Sequence, residues 1–137
     1  MKNLNQTSLE ISAMGLGCMG MSEFYGQTDD QNSLRILEEA FDSGINFFDT
    51  ADTYGHGHNE KLLAQFIAHY RNQRDAIVIA TKFGIVRDQN HYERRIDNTP
   101  NYIRQACEAS LTRLGIEQID LYYCHRRQTE RSEEHTS

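Results

Sequence analysis

The spacing of apolar and polar positions changes several times along the chain, and each change predicts an element. Residues 4–12 alternate weakly around polar turn residues, which predicts a short hairpin. Ala13–Cys18 is a short apolar run that predicts a strand, and a polar, glycine-punctuated loop follows over Met19–Asp30. Thr28 and Gln31 have capping-box spacing. Leu34, Leu37, Ala40 and Phe41 then share one helical face, with Gly44 placed to end the helix. Ile45–Asp49 predicts a second strand and Thr50–His58 a loop. Asn59 is placed to cap a second helix whose apolar side carries Leu62, Leu63, Phe66 and Ile67. Ala76–Lys82 is the clearest strand, a continuous apolar run of the kind buried on both faces of a parallel sheet. Phe83–Asn98 reads as a long loop of mixed charge. Thr99-Pro100 opens a third helix, with Ile103, Ala106, Cys107, Ser110, Leu111 and Leu114 inward and Gly115 at its end. Ile119–Cys124 predicts a fourth strand. Four strands alternating with three helices argue for βα units and a parallel sheet.

The pattern stops after His125-Arg126. The remaining residues are charged and lack periodicity, and the last seven resemble the translation of a common short-read sequencing adapter. Residues 1–126 are therefore expected to form the folded unit, and 127–137 to be a non-native or disordered tail. Composition narrows the function classes. A net charge of −6 disfavours nucleic acid, because phosphate binding wants a basic face. No run approaches the roughly 18 apolar residues of a membrane span. Cys18, Cys107 and Cys124 are odd in number and widely spaced, so a reduced, cytoplasmic setting is the expectation.

Candidate chemistry collects at the predicted strand ends. Asp49, Asp52 and Tyr54 sit where the second strand opens into a loop. Lys82 ends the third strand at a buried boundary, where an ammonium needs a carboxylate partner or a lowered pKa; Asp49 ends the neighbouring strand. His125 ends the fourth strand. In a βα barrel these C-terminal strand ends form the face that carries active sites. A phenol beside an ammonium, with an imidazole to meet a substrate oxygen, suits proton transfer to a carbonyl during its reduction. The hydride would then come from a bound nicotinamide. His56 and His58 lie in a loop without a third ligand, so no metal is expected. Gly15-Leu-Gly-Cys-Met-Gly20 matches a dinucleotide fingerprint, but a helix should start there directly, and the pattern places it near Asp30. A Rossmann-type module therefore ranks lower. The glycines read better as a strand end that lets a ligand or backbone approach closely.

These residues resemble the aldo-keto reductase superfamily. The stretch Phe47-Phe-Asp-Thr-Ala-Asp-Thr-Tyr-Gly55 is similar to its signature after the second strand. Gly15–Gly20, Asn59-Glu60, Ala80–Lys82, Ser110–Gly115 and Asp120–Arg126 follow in family order over residues 9–126. The resemblance implies the N-terminal half of a (β/α)8 barrel: about four parallel strands and three helices, preceded by a short hairpin. It implies an NADPH-dependent oxidoreductase that reduces small-molecule aldehydes and ketones to alcohols. By the same resemblance the catalytic tetrad falls on Asp49, Tyr54, Lys82 and His125. Tyr54 would donate the proton, Lys82 paired with Asp49 would favour its release, and His125 would orient the carbonyl. Met19, Gly20 and Asp49 would lie near the nicotinamide and its ribose. Cys124 stands where the family often has Gln. The later barrel loops, which in the family hold the carboxamide and the cofactor phosphates, lie outside these 137 residues. This chain alone is therefore expected to be inactive. A non-enzymatic alternative within the same fold is an NADPH-binding regulatory subunit.

Overall fold

The computed structural model describes residues 2–3, 10–21, 30–87 and 94–126. The centre is a four-stranded parallel sheet built from β3 (Gly15–Gly17), β4 (Phe47–Asp49), β5 (Val78–Phe83) and β8 (Leu121–Cys124), in that spatial order. Three helices, α1 (Asp30–Asp42), α2 (His58–His69) and α3 (Pro100–Leu114), form the crossovers. This is the βα succession that the hydrophobic pattern predicts, with each strand trimmed at its start. Ahead of it, β1 (Lys2–Asn3) pairs antiparallel with β2 (Glu10–Ile11), so the expected hairpin is present with its first strand nearer the N-terminus. Thr28 of the predicted capping box and the expected tail from residue 127 lie outside the described residues.

Strand alternation decides what the sheet buries. Residues on one face, Phe48 and Ile79 among them, meet Leu37, Leu62, Leu63, Phe66 and Leu114 from the helices in a single core. Phe48 is fully buried, its ring 4.9 Å from that of Phe66. The other face carries Asp49, Ala80, Lys82 and Tyr123. Every residue of β5 is buried, as its apolar run predicts for a strand covered on both sides. At the start of α3, the Thr99 hydroxyl accepts from the Tyr102 amide (3.4 Å) and Pro100 takes the first position. At its end Gly115 closes the helix with φ 68°.

Two local expectations need correction. The stretch Phe83–Asn98 is not simply a loop: β6 (Ile85–Arg87) and β7 (Arg94–Ile96) pair there as an antiparallel hairpin. Asn59 does not cap α2. The helix begins two residues earlier, at His58 after Gly57, and no side chain caps it. The Asn59 side chain turns inward with no exposure. It accepts from the Thr50 hydroxyl (2.6 Å) and donates to the Cys18 carbonyl (2.7 Å). It thereby ties the C-terminal ends of β3 and β4 to α2. Asn59→Ala strands both partners in the core, and the expected loss is about 1–3 kcal/mol, read as a lowered denaturation midpoint at unchanged slope.

Candidate active site

The sheet brings the strand ends together because its strands are parallel and in close register. Lys82, the last residue but one of β5, lies opposite Tyr123 of β8, and Asp49 ends β4 opposite Ala80. The Lys82 ammonium donates to Asp49 Oδ2 (2.9 Å), the Thr50 carbonyl (2.8 Å) and the Tyr54 hydroxyl oxygen (3.1 Å). All three donors of the ammonium are thus used. The side chain of Lys82 is 9% exposed and that of Asp49 is 27% exposed. Burial pulls the Lys82 pKa down. The hydrogen bonds to Asp49 and Tyr54 and the Asp49 charge push it up, and the net shift is upward. The ammonium therefore stays charged.

Tyr54 is buried, and its ring lies perpendicular to the imidazole of His125 at 5.7 Å. The His125 amide donates to the Phe83 carbonyl (2.7 Å), which fixes the residue at the sheet edge. The four residues named from sequence, Asp49, Tyr54, Lys82 and His125, thus share one edge. Met19 and Gly20 lie in a single 3-10 turn, Met19–Met21, beside that edge. The Cys18 amide donates to the Asp49 carbonyl (2.9 Å) and anchors the turn there. No α-helix opens at Gly20, which is the context a Rossmann fingerprint requires. Among the described residues there is no group of three His, Cys, Asp or Glu that could hold a metal. Likewise, no described helix is long and apolar enough to cross a membrane.

Sequence reasoning missed Tyr123. Its hydroxyl donates to Asp49 Oδ1, the oxygen that Lys82 leaves free. Burial, then the hydrogen bond and charge of Asp49, push the Tyr123 pKa up to about 12, so it remains a donor. Strand alternation was the available signal, since it puts residues 121, 123 and 125 on one face. Asp52, grouped with Tyr54 from sequence, points elsewhere. Its Oδ1 is buried with no hydrogen-bond partner among the described residues. Burial, then the neighbouring Glu60 carboxylate, raise its pKa from 3.8 to about 7. The folded state then holds a proton that the unfolded state releases, so Asp52 makes stability fall as pH rises from 3.8 to about 7. Asp52→Asn is expected to flatten that slope in denaturation midpoints measured across this range.

A parallel βα sheet that gathers a carboxylate, a phenol, an ammonium and an imidazole at its C-terminal edge has the architecture of a barrel-type scaffold with ionisable groups at the strand ends. Comparison with known proteins makes this specific. The Aldo/keto reductase family model matches residues 13–136, and the chain belongs to that family. It is 41% identical over 124 residues to "Probable aldo-keto reductase 1" of Glycine max, covering 90% of this chain and 35% of that protein. It is 40% identical over 116 residues to the NADP(+) aldo-keto reductase yakc of Schizosaccharomyces pombe, covering 85% and 34%. Among solved structures, the holo form of the aldo-keto reductase AKR11C1 from Bacillus halodurans aligns with a TM-score of 0.84 at 32% identity. That alignment covers 97% of this chain and 42% of the other. The chain thus spans about a third of the length of the curated relatives it matches.

Proposed function

We propose that this segment supplies the proton-transfer half of a nicotinamide-dependent carbonyl reductase, acting on small aldehydes or ketones with NADPH. The observation that carries the reading is the Lys82 ammonium, held by Asp49 and bonded to the Tyr54 oxygen. A phenol is a weak acid on its own, and a fixed cation on its oxygen stabilises the phenolate left after proton transfer. Tyr54 is the proton donor to the substrate oxygen, and His125, against the Tyr54 ring, orients that oxygen. Asp49 keeps Lys82 charged and aimed, and Tyr123 holds Asp49 by its other oxygen.

The residues present fit the nicotinamide end of the cofactor. A Cβ built on Gly17, level with Asp49 in the sheet, meets nothing within 4 Å, so the strand end is open beside the carboxylate. Asp49 would hold the ribose, and Met19 and Gly20 would border the ring. Reduced nicotinamide, when bound, supplies the hydride that carbonyl reduction needs. The chain spans about a third of its curated relatives, and the further strands and the groups for the rest of the cofactor would lie in the remainder of such a protein, so this chain alone is expected to be inactive. The test is NADPH oxidation with a simple aldehyde, followed by absorbance, for the longer protein and for this chain. Turnover by the longer protein alone is expected. Turnover by this chain would overturn its inactivity, and cofactor binding with only very slow turnover in the longer protein would favour a regulatory subunit.

A further inference from the structure

Behind the candidate tetrad lies a second set of charged residues to which nothing above assigns a role. Glu60, in the first turn of α2, has no exposure. A buried carboxylate is tolerated only when its oxygens are paired. Here both are: Thr81 Oγ1 donates to Oε2 (2.8 Å) and Arg113 Nε donates to Oε1 (2.7 Å). Thr81 immediately precedes Lys82, and strand alternation sends the two to opposite faces. Glu60 therefore grips the end of β5 from the helix side, one residue from the ammonium.

Arg113 carries the connection onward. Its stem lies directly on Gly57: a Cβ added there would stand 2.7 Å from Arg113 Cδ and 3.1 Å from Nε. Gly57 ends the turn Tyr54–Gly57, in which Gly55 (φ 61°), His56 (φ 54°) and Gly57 (φ 93°) are all left-handed. Such a turn, with a non-glycine among the three, persists only where its surroundings hold it. At its start the Asp52 amide donates to the Lys82 carbonyl (3.3 Å). The contacts close a circuit. Lys82 adjoins Thr81, Thr81 binds Glu60, Glu60 binds Arg113, Arg113 covers Gly57, and the turn returns through Tyr54 to the Lys82 ammonium.

We propose that Glu60 and Arg113 are positioning residues for carbonyl reduction, clasping the Tyr54 turn against the end of β5 so that the phenol meets the Lys82 ammonium. This inference rests on the reductase reading. In the full-length reductase, Glu60→Gln and Arg113→Met are expected to lower kcat about tenfold or more, because small displacements of a reacting group cost that much. KM for NADPH and aldehyde should stay within about twofold, since both residues attach to β5 from the Thr81 side, opposite the face that carries Asp49 and Lys82. Arg113→Lys, which keeps the stem and the charge, should recover most of kcat. Tyr54→Phe is run alongside. If Tyr54→Phe keeps parental activity, the reductase reading falls and the clasp with it. If Tyr54→Phe is inactive while folded Glu60→Gln and Arg113→Met keep parental kcat, the clasp alone falls. Equal losses in Arg113→Met and Arg113→Lys would also overturn it. If Glu60→Gln does not fold, the Arg113 pair decides, because that side chain is already 24% exposed. Failure of all three to fold would make the network a folding element and overturn positioning.

Discussion

Tyr54→Phe in the full-length reductase is expected to lower kcat for aldehyde reduction by about 10²–10⁴-fold, the contribution of a positioned general acid. KM and thermal stability should change little. The substitution removes one oxygen and nothing else. The ring stays buried against His125, and Lys82 keeps two of its three bonds, to Asp49 and to the Thr50 carbonyl. Loss of kcat at constant KM is the signature of an interaction made in the transition state alone. Steady-state kinetics with a simple aldehyde, and a melting curve for the same sample, measure both quantities. Retained kcat would remove Tyr54 as donor. A drop in melting temperature that parallels the drop in rate would make it a packing residue.

The fold was legible wherever one short-range pattern decided the outcome. Residues 76–82 read as a strand because an unbroken apolar run has one good use in a βα protein, and all of β5 is buried. Thr99-Pro100 and Gly115 marked the ends of α3 by local chemistry alone, and the structure has both. The hairpin β6–β7 was not legible. Its strands are three residues each, one of them Arg94-Arg95-Ile96, too short and too charged to show a period. Asn59 was misread because cap preference is a property of residue type. What fixes its side chain is the Cys18 carbonyl, 41 residues away in sequence, which no local rule contains.

The candidate site divides along the same line. Asp49, Tyr54, Lys82 and His125 could be placed on one edge because each ends a strand or opens its loop. Parallel pairing then carries all of them to the same side of the sheet. Glu60, Arg113 and Tyr123 fall inside stretches that carry the family resemblance, but what they hold was not legible, for the opposite reason. Glu60 in the first turn of a helix reads as a surface charge that complements the helix dipole. It is instead fully buried between β5 and α3. Partners from separate elements, paired across 21 and 53 positions, make it a structural acid. For Tyr123, alternation gives the face it shares with His125, and the register adds that it stands opposite Lys82.

Lys82→Met should cost both activity and stability, and the two losses have different causes. Methionine fills a similar volume but offers no donor. Asp49, the Thr50 carbonyl and the Tyr54 oxygen then lose their shared cation together. Breaking a wholly buried pair costs about 3–5 kcal/mol. The loss here is expected at or below the lower end of that range, because Asp49 is 27% exposed and keeps the bond from Tyr123. The pH dependence separates this from a packing defect. The Lys82 pKa is raised above its ordinary 10.5, so the pair contributes in full below 10.5 and is lost only as pH rises beyond it. Parent and Lys82→Met should therefore differ by a constant amount across neutral pH and converge in strong alkali. The kinetic loss should approach that of Tyr54→Phe without exceeding it, because the phenol remains but gives up its proton without a cation to stabilise the phenolate. A Lys82→Met protein that keeps parental kcat, or that differs equally from the parent at every pH, would show that the ammonium neither assists Tyr54 nor holds Asp49.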